Sequence, residues 1–362
     1  MFSRNVTRRA RWDLVALAAL AILTVLAVEW MDRAVVRLDD RAVAAAQKME
    51  RATSALSDHR AKAGPPLDPE DIHETGLIGT FLGPLTTTVG TLEAKRTTTN
   101  PNMAALAAKL LTEAGVCEGD AIAIGASGSF PAILLAVLCA GDSLDVDVGL
   151  IVSFGSSQWG ANLIDFTWLD VEDVLIASGL LASEYRAAAV SFGGANDVGF
   201  DLAPDVREEL RTRAADLGVP LIDESNLAVN VARRMQIYDT ALAGRPPSAF
   251  VNIGGAWANV GTGTGPLALV PGVNVIESIP PTDERGVLFE YAARGVPVVH
   301  FLNIAALATE YELPWDPTPI PTPGEQIDIE NSTPVGAAIL GAAYIVFSAG
   351  WLIALRPRQW RP

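Results

Sequence analysis

Four short apolar runs in this chain each end in a loop of Gly, Ser and Asn: AIAIGASGSF at 121–130, LIVSFGSSQWGAN at 150–162, AAAVSFGGANDVG at 187–199 and SAFVNIGGAWANVGTGTG at 248–265. Between them lie stretches with helical spacing of apolar residues, among them NPNMAALAAKLLTEAG, LDVEDVLIASGLL, DVREELRTRAADLG and ESNLAVNVARRMQIYDTALAG. Strands that are apolar along their whole length are buried on both faces, and strands separated by helices pair in parallel, because the helix carries the chain back to its starting edge. The expected fold is therefore α/β, with a mostly parallel sheet and helices on both faces. Ligands of such sheets bind beyond the carboxyl ends of the strands, which is where all four loops fall.

The two ends read differently. Leu14–Val28 carries no charge, is preceded by Arg4, Arg8, Arg9 and Arg11, and is followed by Glu29 and Asp32. Val335–Leu355 is 21 residues without a charge, followed by Arg356, Arg358 and Arg361. Each run approaches or reaches the roughly 20 residues that a bilayer requires, and basic residues at the outer flank of both place both termini in the cytoplasm. The first run also has the length of a signal-peptide core, but no small-residue cleavage site follows it in VEWMDRAVV. The expectation is a cell-membrane protein with its main domain extracytoplasmic, flanked by an N-terminal and a C-terminal transmembrane helix.

That layout divides the chain into a basic tail and anchor at 1–34, a stem helix at 35–66, an α/β domain at 67–312, a Pro-rich tether at 313–333 and a second span with its basic tail at 334–362. It also sharpens the net charge of −16: seven of the 26 basic residues and one acid lie in the tails, leaving 19 basic against 41 acidic residues outside, a charge near −22. Such a surface repels polyanions, and no nucleic acid is expected as a partner. The two cysteines, Cys117 and Cys139, either pair or stay as free thiols.

Ser127 stands at a strand, turn and helix start. The nucleophile elbow reads G-x-S-x-G, whereas Gly125-Ala126-Ser127-Gly128-Ser129 has serine at the last position. A serine nucleophile also needs a base. Of the three histidines only His300, at the end of GVPVVHF, ends a strand. The alternative is an anion cradle: backbone N–H groups at Gly128, Ser129 and Phe130 with the positive end of the following helix, Ser129 serving otherwise as an N-cap before Pro131. Lys95 and Arg96, amid threonines and beside Asn100, form the densest basic pair of an acidic domain and suit carboxylates. Trp159 and Asn162 either wall a site or pack, and Asn196 and Asp197 offer an amide and a carboxylate or simply a turn. GDSL at 141–144 follows a helix instead of the first strand and is read as chance. With no CxxC, HExxH or GxxxxGK[ST], neither a metal nor a cofactor is expected.

The stretches LTTTVGTLEAKRTTTNPNMAALAAKLLTEAGVCEGDAIAIGASGSFPA, SFGSSQWGANLIDFTWLDVEDVL and SFGGANDVG resemble, in order along the chain, the poly-gamma-glutamate system protein family, membrane-anchored proteins encoded beside poly-γ-glutamate capsule synthesis genes. The resemblance implies an accessory role in poly-γ-glutamate biosynthesis or export. The partners it implies are the polymer or its precursor, other membrane subunits of that machinery and the lipid bilayer. It transfers no catalytic residue. The rival expectation is a Ser-dependent hydrolase or transferase acting on the polymer, with Ser127 as nucleophile and His300 as base.

Overall fold

The structure, a computed structural model, describes residues 20–25, 40–325, 344, 348 and 351. Both expected spans, and the stem and tether residues next to them, fall largely outside the described residues, and no described helix is long and apolar enough to cross a membrane. Arg41–Asp328 forms one compact unit; of the other, built from the two termini, the described part is the helical stretch 20–25 and three single residues.

The compact unit is α/β with a mostly parallel sheet, as the alternating pattern implied. After helix α1 (residues 40–62), the chain runs β1 (Thr86–Thr88), α2 (Leu92–Thr98), α3 (Asn102–Glu113), β2 (Ala121–Ser127), α4 (Pro131–Leu144), β3 (Asp147–Ser153), β4 (Ser156–Ser157) and α5 (Trp168–Ala177). It continues through β5 (Ala189–Ser191), α6 (Pro204–Asp216), β6 (Leu221–Ile222), α7 (Leu227–Ala241), β7 (Ala249–Ile253), α8 (Trp257–Val260), β8 (Gly272–Asn274), α9 (Val287–Ala292), β9 (Val298–Phe301) and α10 (Ile304–Glu310). Seven strands form the main sheet in the order β6-β5-β3-β2-β7-β9-β8, all parallel but for β8, which runs antiparallel at the edge. From β2 the chain lays down β3, β5 and β6 on one side, then crosses to lay down β7 and β9 on the other. β1 and β4 pair separately, in parallel, beyond the end of β3.

Every residue of β2 is buried, as a strand covered on both faces must be. Ala121 and Ala123 face a core shared with α7 and α9, in which Tyr238, Phe250 and Tyr291 pack ring to ring, and the Tyr238 hydroxyl donates to Ile124 O at 2.9 Å. α4 is apolar around its whole circumference because other helices as well as the sheet cover it. Pro131 occupies its first turn, and Lys48 of α1 ion-pairs with Asp142 near its end. Gly141–Leu144, the GDSL stretch, is part of this helix. Cys117 is exposed, Cys139 is buried, and both are free thiols.

The structure moves two boundaries read from the sequence. α1, set apart as a stem, buries Ala42, Ala45, Ala46, Met49, Ala52 and Leu56 at 1% exposure or less, within the same compact unit as the sheet. From its last turn buried Arg60 donates to the carbonyls of Pro65, Pro66 and Gly76, fastening the GPPLDP segment. The described part of the Pro-rich segment is likewise tied down: His73 Nε2 meets Pro317 O at 2.8 Å, Asp316 N donates to Thr97 Oγ1 at 2.9 Å, and Gly324 N donates to Asn102 Oδ1 at 2.8 Å. An alanine-rich stripe is a weak apolar signal in sequence, yet small residues let a helix approach closely and bury its full face.

Leu56→Ala should therefore destabilise the compact unit by about 2–5 kcal/mol in denaturant titration, the range for a fully buried leucine; a loss near zero would return α1 to the role of a free stem. A second prediction concerns Glu172 on α5, whose side chain is buried and whose carboxyl desolvation pushes up to about 7, against the bond from Ala187 N and the charge of Arg186. A carboxyl raised above its ordinary value contributes stability that is present in acid and lost as the pH rises through about 7. Glu172→Gln should match the parent at pH 5 and exceed it at pH 9 by on the order of 2 kcal/mol, read as a change in denaturation midpoint.

Candidate functional site

The point where the strand order turns, between β2 and β7, opens a cleft of about 690 Å³ at the carboxyl end of the sheet. All four Gly/Ser/Asn loops line it, joined by Thr87–Thr91, Lys95, the segment after β9 and Trp315. The loops pass very close to one another. Gly254, at φ +86°, lies where a Cβ would stand 2.2 Å from Ser127 Oγ, and a Cβ on Gly128 would stand 2.7 Å from Phe154 O. At Gly128 the obstacle is backbone and cannot move aside, and at Gly254 the left-handed backbone itself favours glycine.

The floor is polar. Ser127, Ser129, Ser153 and Ser157 line it, from the ends of β2 and β3 and from β4. Ser127 Oγ faces Ser129 N at 3.4 Å, and Ser129 Oγ accepts from Ser157 N at 3.0 Å, so Ser129 ties two loops together instead of capping α4. Ser153 Oγ is fully buried with no hydrogen-bond partner among the described residues. The rim is apolar and exposed, with Val89, Trp257, Leu302 and Trp315. Asp201 also lines the cleft, its Oδ2 accepting from Ala195 N at 3.0 Å.

Lys95 is the cation of this floor. It is 2% exposed; Nζ donates to Ser129 O and, at 2.8 Å, to Ser157 Oγ, and lies 3.5 Å from the centroid of the Phe130 ring. Among the described residues no carboxylate pairs with it. Burial therefore acts unopposed and pulls the ammonium down to about 7. Arg96 is elsewhere: consecutive residues on a helix point about 100° apart, as 3.6 residues per turn dictates, and from α2 Arg96 turns away from the cleft to ion-pair with Glu70 and, at 3.6 Å, with Asp316. The basic pair read as one carboxylate grip is split, one member inside and one out.

Of the residues singled out in the sequence, Lys95, Ser127 and Ser129 meet in the cleft. Gly128 is beside it, but its N–H is taken by Ser153 O at 2.8 Å, which removes one donor from the expected cradle. Asn100 is buried and turns α3, its Oδ1 accepting from Asn102 N at 3.0 Å. Asn162, also buried, bonds both the N–H and the carbonyl of Thr80, and Trp159, at φ +56°, packs its ring on Phe81 at 5.2 Å. None of these three lines the cleft. Asn196 is exposed outside it. Asp197 is committed to a buried network, with Arg234 NH2 at 2.6 Å, Ser191 Oγ at 2.7 Å and Asn230 Nδ2 at 3.0 Å. The turn reading holds for both, in left-handed conformations that Asn and Asp tolerate.

His300 does not assemble with Ser127. It sits on β9 opposite Asn252 of β7, which lies between β9 and β2, so two strand spacings, about 10 Å, separate the histidine from the Ser127 strand. Asn252 Nδ2 donates to His300 Nδ1 at 2.9 Å, and burial holds the imidazole down at about 4, neutral at physiological pH. Ser153 and Ser157 are two serines of the cleft that no motif marks. Both lie in the quoted SFGSSQWG loop, but nothing in a run of small residues marks which serine faces a lysine 62 positions upstream.

Gly254→Ala should lower stability by more than Gly295→Ala. The latter residue has φ +79° in open space and so pays only the left-handed cost of about 1–2 kcal/mol, whereas at 254 the Ser127 hydroxyl must also be displaced; equal losses in urea denaturation would mean that Ser127 swings aside at no cost. Compared with known proteins, the chain matches no family model, no curated protein and no solved structure, so the chemistry of this cleft is the ground on which a function rests.

Proposed function

We propose that the protein is a membrane-anchored accessory component of poly-γ-glutamate biosynthesis or export, and that the cleft grips carboxylates of the polymer. The uncharged runs at 14–28 and 335–355 support anchoring in the cell membrane with both termini cytoplasmic and Arg41–Asp328 outside, beside other membrane subunits. The observation that carries the reading is Lys95, a buried ammonium with no carboxylate partner in the described protein. Desolvating a charge without a counter-ion is costly, and an incoming carboxylate supplies the missing one. Ser153 Oγ, on the same floor, has no partner in the described protein.

The rim suits the rest of such a chain. In a γ-linked glutamate polymer two methylenes separate each carboxylate-bearing carbon from the next amide, and exposed Trp257 and Trp315 give flat apolar surface to methylenes. The acidic exterior, near −22 between the spans, repels the remainder of a polyanion, which favours a local hold on a chain end over wrapping.

Binding should follow the Lys95 proton. Carboxylates of the polymer stay ionised above pH 6, so the loss of affinity between pH 6 and pH 9 reports the lysine, whose folded value lies at about 7. Fluorescence anisotropy with labelled poly-γ-glutamate should show affinity falling roughly tenfold or more over that range, the worth of one hydrogen bond to a charged group. Lys95→Met should bind weakly at both pH values, and Arg96→Ala should bind as the parent does. Equal affinity of parent and Lys95→Met at pH 6 rejects the grip.

A further inference from the structure

We infer that Ser157 is a nucleophile with Lys95 as its general base, and that the cleft carries out acyl transfer at an amide of the chain it holds. The inference takes its substrate class from the reading above, but its chemistry stands on the geometry of the pair. Four serines line the floor, and one of them meets an amine: Ser157 Oγ is 2.8 Å from Lys95 Nζ. Ser127 Oγ faces only a backbone N–H, and Ser153 Oγ faces no partner.

Both members of the pair are held in place. Ser157 belongs to β4, paired with β1, and its N–H donates to Ser129 Oγ at 3.0 Å. Lys95 is pinned by Ser129 O and by the Phe130 ring, so loss of one proton leaves the nitrogen where it is, with its lone pair free to accept from Ser157 O–H. A lysine that burial brings to about 7 spends much of its time neutral near physiological pH, the state a base requires. The roles alternate: the charged form holds a carboxylate, and the neutral form, once that carboxylate has left the amine, activates the serine. Gly255 and Ala256, which line the same cleft, carry backbone N–H groups with no acceptor in the described protein, donors of the kind that stabilise an oxyanion.

The step balances within the site and water. Ser157 Oγ adds to the amide carbonyl carbon as its proton passes to Lys95 Nζ. The C–N bond then breaks and the same proton leaves with the amine, giving an acyl ester on Ser157. Water, deprotonated by Lys95, adds to the ester carbonyl; the C–O bond breaks, the proton returns to Ser157 Oγ, and a carboxylic acid leaves, ionising in solvent. An amine in place of water gives transfer instead of hydrolysis.

The test uses the full-length chain in detergent with an uncharged alkyl fluorophosphonate, in which serine displaces fluoride at phosphorus and the serine proton goes to the base. The expected result is one adduct, mapped by peptide mass spectrometry to Ser157, forming about tenfold faster at pH 8 than at pH 6. Lys95→Arg, which keeps a cation that does not deprotonate, should lose the adduct while melting cooperatively. Mapping on the unmodified chain needs no variant to fold. An adduct on Ser127 or Ser153, or none at pH 8 on a cooperatively melting protein, overturns the inference. Polymer binding measured in parallel separates the readings: binding without an adduct removes the nucleophile and keeps the grip, and an adduct without binding keeps the nucleophile and removes the polymer.

Discussion

Everything at the working end of this molecule depends on the divergence of the chain on either side of β2. Crossovers between parallel strands are right-handed and short, so each new strand lands beside the last until the chain changes direction. Here it changes once, from the β3, β5 and β6 side to the β7 and β9 side, and the loops leaving β2 and β7 part from each other above the sheet. The gap between them is the cleft. Its walls then close to within contact of one another because glycines stand at the crossings, as Gly254 does against Ser127.

Two buried cations show how the same cost is met in two ways. Arg234 is wholly enclosed and its charge is met by Asp197, with Ser191 and Asn230 as further partners, and the network ties the loop after β5 to α7. Lys95 is enclosed to nearly the same degree but has only a carbonyl, a hydroxyl and an aromatic face. These satisfy its hydrogens without neutralising its charge. The first charge is neutralised by a carboxylate and the second is not, and only the second lines a cleft. Where a buried charge lacks its counter-charge, structure and chemistry are set against each other, and such places are where function concentrates.

Much of the architecture was legible along the chain. Apolar strands with Gly-rich ends, separated by amphipathic stretches, leave few alternatives to a parallel sheet with its loops at one edge, and the sheet has that form. Pro131 at the start of α4 was equally plain. The residues of the site were legible only in part. Lys95 and Arg96 read as one feature because they are adjacent, yet neighbours on a helix point in different directions and their partners come from segments far off in sequence. Ser127 drew notice through a near-motif, whereas Ser157 has no motif and owes its place to the pairing of two very short strands, β1 and β4. α1 was misjudged for a related reason: a buried face that is mostly alanine looks indifferent until the surface it packs against is known.

What the amino-acid sequence by itself determined was the class of fold, the edge at which the Gly/Ser/Asn loops gather, the acidity of the domain and the two uncharged runs at its ends, because these follow from periodicity and composition, which are local or additive. What only the tertiary structure decided was which groups share a volume. It brought Lys95 to Ser157, took Arg96 to Glu70, enclosed Asp197 with Arg234 and set β7 between His300 and Ser127. Proximity between distant residues is a property of strand order and packing, and desolvation, which tunes the lysine, does not exist until the chain has closed around it.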